Sequence, residues 1–192
     1  MSAFCPRVPG DRLRRMGLDG IVIVAGVPGS GKTTLARVLG PRLGLPLIAK
    51  DTVKEALFDV LGAGDVQWSE QLGLASHRVM YALAREAGSA LLEANFWPGT
   101  SESDLVALDR PLLQIYCRCP LELAVSRYRA RIASPQRHPG HLPEHQADEV
   151  IARWATTEPR PLDLDAPLIE VDTRELVDID AVVAEIEAHP PR

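Results

Sequence analysis

Apolar residues along this chain fall into two kinds of run. Five are short and nearly unbroken: IVIVA (Ile21–Ala25), LPLIA (Leu45–Ala49), ALLEANF (Ala90–Phe96), PLLQIYCRC (Pro111–Cys119) and PLIEVDT (Pro167–Thr173). Between them lie longer stretches in which apolar residues return every three or four positions: TTLARVLGPRLG, DTVKEALFDVLG, SEQLGLASHRVMYALAREA, SESDLVALD, PLELAVSRYRARI, QADEVIARWA and DIDAVVAEIEA. A short continuous apolar run predicts a strand covered on both faces, and the three-to-four period predicts an amphipathic helix. Local signals set the ends. Gly40 or Gly44 closes the first helix, Asp51 or Thr52 caps the second, Pro120 opens the helix after the fourth strand, and Trp97-Pro98-Gly99 stops the third strand. Strands alternating with helices predict an α/β fold: a five-stranded parallel sheet with helices on both faces.

Composition narrows the picture without changing it. The 192 residues carry a formal net charge of -5, with 46% hydrophobic and 24% charged residues, an ordinary balance for a soluble domain. One domain is expected over residues 20–190, preceded by a loose extension over 1–19 that has arginines but no apolar core, and so is no secretory signal. No apolar run approaches membrane-spanning length. The cysteines, Cys5, Cys117 and Cys119, are odd in number and lack framework spacing, which points to a reducing cytoplasm. Net acidity disfavours nucleic acid unless a local basic patch exists.

Directly behind the first strand stands GVPGSGKTT. Gly26, Gly31, Lys32 and Thr33 satisfy G-x-x-x-x-G-K-[ST], and the segment has a strand before it and a helix after it, as a phosphate-binding P-loop requires. The backbone of Gly26, Val27, Pro28, Gly29, Ser30 and Gly31, continuing into Lys32, Thr33 and Thr34, is expected to wrap a nucleoside triphosphate. Its N–H groups and the following helix N-terminus make a nest of positive partial charge. Lys32 can reach the β- and γ-phosphates, and the Thr33 hydroxyl can ligate Mg2+.

From these residues, and from the second strand ending in AKDTVKEAL, the chain resembles the small P-loop kinases. It is most similar to the AAA_33-type ATP-binding proteins, a set that groups with polynucleotide 5′-hydroxyl kinases, zeta toxins and chloramphenicol phosphotransferases. The resemblance covers residues 20 to 190 and implies a P-loop NTPase fold of adenylate-kinase-like strand order with a mobile lid. It implies that Asp51, at the carboxyl edge of the sheet, accepts the proton of an attacking hydroxyl. Asp51 can equally serve as a helix cap. Lys54, one turn later, is expected to touch the acceptor, as is Glu93 at the end of the third strand, an acid that could also pair with Lys54. By the period of two, Asn95 points to the same side as Glu93, and Trp97 walls the acceptor pocket. Arg127 and Arg131, four apart, share one helical face. With Arg137 and His138 in the loop SPQRHPGH they resemble a lid, about residues 127–145, whose arginines close over the triphosphate.

Other features carry less. His138, His141 and His145 lack the cysteine or carboxylate spacing of a zinc site. Cys117 and Cys119 fit packing on a buried strand. Asp172 and Thr173 end the fifth strand, near the adenine by similarity. The expected activity is transfer of the γ-phosphoryl of Mg-ATP to a hydroxyl of a small molecule, by a cytoplasmic monomer or weak homo-oligomer. Two alternatives stand: a polynucleotide 5′-hydroxyl kinase, which needs a basic track to Asp51, and a nucleotide-dependent switch with no acceptor.

Overall fold

A computed structural model of the chain describes residues 18–135, 137–141, 148, 151–152 and 159–192. Its strands are β1 (Ile21–Ala25), β2 (Leu47–Ala49), β3 (Ala90–Glu93), β4 (Leu112–Arg118) and β5 (Leu168–Asp172). They form one parallel sheet in the order β2-β3-β1-β4-β5. The helices are α1 (Lys32–Leu43), α2 (Lys50–Leu61), α3 (Val66–Ala87), α4 (Ser101–Val106), α5 (Leu121–Ile132) and α6 (Ile179–Ala188). All five expected strands are present; β1 has the expected bounds, and the other four are trimmed by one to three residues at an end. The expected extension falls almost wholly on residues outside those described. Of the helix expected over QADEVIARWA, only Asp148, Ile151 and Ala152 are described, and all three are helical.

The all-apolar sequence of β1 follows from its central place. Alternate side chains leave the strand on opposite faces, and both faces are covered. Val22 and Val24 join Leu35, Leu39, Leu113, Ile115 and Ile186 under α1 and α6. Ile21 and Ile23 join Met80, Tyr81, Ala84, Leu92 and Leu105 under α3 and α4. Each fully buried aliphatic side chain contributes about 1.5–3 kcal/mol. β5, at the edge, instead alternates: Ile169 and Val171 are buried, and Leu168, Glu170 and Asp172 are exposed.

Of the two glycines expected to close the first helix, Gly44 does so, while the start of the second helix differs from expectation. α1 runs past Gly40 and Pro41 and stops at Gly44, whose φ of 66° lets its N–H reach the carbonyls of Gly40 and Pro41. α2 begins at Lys50 with Ala49 as its cap, and no side chain caps it. Neither Asp51 nor Thr52 is spent on a backbone amide. α3 starts three residues earlier than its pattern suggests because Asp65 accepts the N–H of Trp68 at 2.8 Å. One polar residue sits deep in the sheet. The Gln114 amide on β4 donates to the Leu162 carbonyl at 3.2 Å and accepts the Leu162 N–H at 2.7 Å. Both ends of its amide therefore have a partner despite burial.

Candidate active site at the carboxyl edge of the sheet

The carboxyl ends of β1, β2 and β3 open on a cavity of about 550 Å3. In an open parallel sheet this is where ligands bind. Pro28, Gly29, Gly31, Lys32, Thr33 and Thr34 line it from the β1–α1 loop. Lys50, Asp51, Lys54 and Glu55 line it from α2, Glu93, Asn95 and Trp97 from β3 and the chain beyond it, and Arg127, Tyr128, Arg131, Arg137, His138 and His141 from α5 and the segment after it. Gly26 and Val27 border a separate hollow of about 40 Å3 with Phe96 and Tyr116. Ser30 is wholly buried within the loop, its hydroxyl without a partner among the described residues.

The loop has its shape because glycine stands where other residues would not fit. Gly29 has φ 83°, and a side chain there would strike the Ala124 carbonyl on α5. Gly31 has φ 87° and leads directly into α1. Lys32 is buried, and its ammonium donates to the Val27 carbonyl at 3.3 Å, inside its own loop. Burial depresses its pKa, and Glu93 and Asp51 oppose that.

Glu93 is buried at the end of β3, and its Oε1 accepts the Thr33 hydroxyl at 3.2 Å. Burial pushes its pKa up, while Lys32 and the Thr33 bond pull it down. The anticipated Glu93–Lys54 pair does not form. Lys54 turns toward α3, where Nζ donates to Ser69 Oγ at 2.8 Å and lies 5.3 Å from the Phe58 ring centroid. Burial and the neighbouring Lys50 bring its pKa down to about 8. Glu93 thus belongs with the phosphate loop, and Lys54 with the floor beneath Asp51.

Asp51 lies in the first turn of α2, and Lys50 Nζ donates to its Oδ1 at 3.1 Å. Burial would raise this carboxyl, but Lys50, His141 and Lys32 outweigh it and hold the pKa far below the usual carboxylate range. Asp51 therefore faces the cavity ionised.

Two arginines of α5 have separate fates. Arg127 donates to the carbonyls of Thr173 and Arg174, both at 2.8 Å, tying α5 to the turn after β5. Arg131 lies over the Tyr128 ring at 5.4 Å, close enough to Lys32 and Glu93 to shift their titration. Arg137 approaches the same ring at 5.7 Å. The segment after α5 rests on α2. His138 Nε2 meets Asp59 at 3.0 Å, His141 Nε2 meets Glu55 at 2.8 Å, and the Phe58 ring stacks on His138 at 5.9 Å. Glu55, Phe58 and Asp59 lie on one stripe of α2, the helix that carries Asp51 in its first turn. His145 and the rest of the expected lid, 142–145, lie outside the described residues.

Lys50, Glu55 and Tyr128 were not singled out from sequence, and His141 was weighed only as a zinc ligand. Lys50 had a signal in its position next to Asp51. The pairing of His141 with Glu55 spans 86 positions and left none.

Comparison with known proteins agrees with this geometry. Residues 21–157 match the AAA_33 family, described as an AAA domain. A crystal structure of a candidate kinase from Chloroflexus aurantiacus superposes with a TM-score of 0.79 at 33% identity, covering 90% of this chain and 98% of that one. Human threonine synthase-like 1 is 31% identical over 116 residues, 54% of this chain and 15% of that protein. The cytidylate kinase of Ignicoccus hospitalis is 27% identical over 119 residues, 58% of this chain and 64% of that enzyme. The match thus spans less than two thirds of either curated relative. A P-loop followed by α1, a sheet of kinase order and a match over most of the domain have one meaning: the chain belongs to the AAA_33 family and is a P-loop kinase in build.

Proposed function

We propose that the chain transfers the γ-phosphoryl group of Mg-ATP to a hydroxyl of a small molecule. One observation carries the reading: the phosphate loop, an ionised Asp51 that caps nothing, and the arginine-bearing end of α5 all face one cavity. A switch without an acceptor has no use for such a carboxylate. The net charge of -5 favours a small acceptor over a polynucleotide.

Lys32 and the loop amides hold the triphosphate tail. The Thr33 hydroxyl and the Glu93 carboxylate, two oxygens 3.2 Å apart, are the hard donors a magnesium ion takes. Bound there, the ion would supply charge neutralisation at the phosphates. Asp51 accepts a hydrogen bond from the acceptor hydroxyl and orients it. As the new P–O bond forms and the bond from the γ-phosphorus to the bridging oxygen breaks, Asp51 receives the proton. Lys54, Asn95 and Trp97 border the acceptor. Arg131 and Arg137 offset charge on the transferred group, and Arg127, through the carbonyls it holds, sets the angle at which α5 carries Arg131. The segment bearing His138 and His141 helps exclude water, which would otherwise hydrolyse ATP.

The test is a labelled-ATP screen against nucleosides, cytidylate, oligonucleotides, sugars and aminoglycoside- or phenicol-type alcohols, with Lys32→Ala and Asp51→Asn as controls. Transfer to a small alcohol that both variants abolish is the expected result. Transfer to oligonucleotides alone, or turnover indifferent to Asp51→Asn, would replace this reading.

A further inference from the structure

We propose that Lys50 is a positioning residue for the transfer: its ammonium holds one oxygen of the Asp51 carboxylate and leaves the other for the acceptor. The inference rests on the reading of Asp51 as the group that receives the hydroxyl proton.

Adjacent residues on a helix point about 100° apart and do not normally meet. Lys50 and Asp51 do. Lys50 opens α2, and its side chain bends over to place Nζ 3.1 Å from Asp51 Oδ1. The Lys50 side chain is only 13% exposed, against 41% for Asp51. Its stem is packed and its ammonium delivered to one place, unlike a solvated surface pair whose geometry drifts. Lys50 has no other hydrogen-bond or ion-pair partner among the described residues. Its bond falls on one carboxylate oxygen, and both residues line the cavity.

The groups facing Asp51 come from five directions, one of them α3, which brings His77. Lys50 and Lys54 lie on its own helix, His141 on the segment after α5, Lys32 on the phosphate loop and Glu93 on β3. Of the cations, Lys50 is in direct contact and acts most strongly. Without it the carboxylate stays in a confined site with more distant support. It would then protonate at higher pH and rotate more freely.

The test pairs Lys50→Met and Lys50→Arg in the full chain. Carbon-13 titration of side-chain carboxyls, with Asp51→Asn identifying the Asp51 signal, needs no acceptor. In the wild type that signal stays ionised down to the lowest pH at which the fold persists. In Lys50→Met it titrates within the folded range, and Lys50→Arg returns it to the wild-type behaviour. With the fastest alcohol of the panel above, Lys50→Met lowers kcat, moves the acid limb of the rate profile upward, and leaves the KM for Mg-ATP unchanged. An Asp51 signal that does not move overturns the inference, as does a kcat for Lys50→Met equal to that of the wild type. Full transfer by Asp51→Asn would instead sink the reading of Asp51 as the proton acceptor, while the titration still reports on Lys50.

Discussion

Gly140→Ala is a small change aimed at the contact between the post-α5 segment and α2. Gly140 packs closely against Phe58. An added Cβ would sit 2.5 Å from Phe58 Cδ2 and 2.9 Å from its Cβ, and would overlap Cγ as well. Carbon atoms in ordinary contact stand about 3.5–4.0 Å apart. Phe58 is 3% exposed and has no room to retreat. The segment must therefore lift by about 1 Å. That stretches the His138–Asp59 and His141–Glu55 bonds, now 3.0 and 2.8 Å, past the limit of a useful hydrogen bond. The carboxylate partners are partly solvated, which trims each bond to about 0.5–1 kcal/mol. With the weakened stack on Phe58, the docked arrangement should lose about 2 kcal/mol, roughly a 30-fold shift in its population. Neither face of the sheet is touched, so the melting temperature should move by only a few degrees. Amide hydrogen exchange by mass spectrometry would read this directly: peptides covering 134–141 and the middle of α2 should exchange tens of times faster, and peptides from β1 and β4 should not change. Unaltered exchange over 134–141 would refute the contact, and with it the idea that α2 seats the segment.

The remaining expectations are more local. Lys32→Ala should weaken Mg-ATP binding by about 10- to 150-fold, measured by calorimetry, because it removes a charge-assisted donor to the phosphates. Gly29→Ala must place a side chain at φ 83° against the Ala124 carbonyl and should cost about 1–3 kcal/mol in thermal or denaturant melts, more than a glycine-to-alanine change at a permissive site. Lys54 has its pKa lowered to about 8 in the folded chain, below its unfolded value, so the unfolded chain binds more protons between about pH 8 and 10.5 and stability rises with pH across that window. Lys54→Met should flatten this rise in pH-dependent melts while weakening acceptor binding. Burial pushes the Cys117 thiol up to about 12, so alkylation at pH 8 should spare it until the chain is unfolded.

What could be read in advance follows from how far apart the interacting residues lie. The strands were legible because a doubly covered parallel strand is written as an uninterrupted apolar word, IVIVA most clearly. The phosphate loop was legible because its chemistry depends on neighbours in sequence. Helix starts were less so: Ala49 leaves no side-chain signature at the head of α2, and Asp65 lies before the apolar rhythm of α3 becomes visible. Least legible were the pairings between distant segments. Glu93 finds Thr33 across 60 residues and Arg127 finds the Thr173 carbonyl across 46, and no period or motif encodes either partner. The resemblance pointed to the residues that meet in the cavity, while their hydrogen bonds decided which of them meet one another.

The double bond between Gln114 and Leu162 has a mechanical meaning. The chain leaving the α5 region must return to the sheet to make β5, which has a neighbour on one side only. A tug arriving along that return path reaches Leu162 first, and there it is borne by an amide rooted in β4 near the centre of the sheet. The outermost strand is spared, so events above the phosphate loop need not peel the edge away.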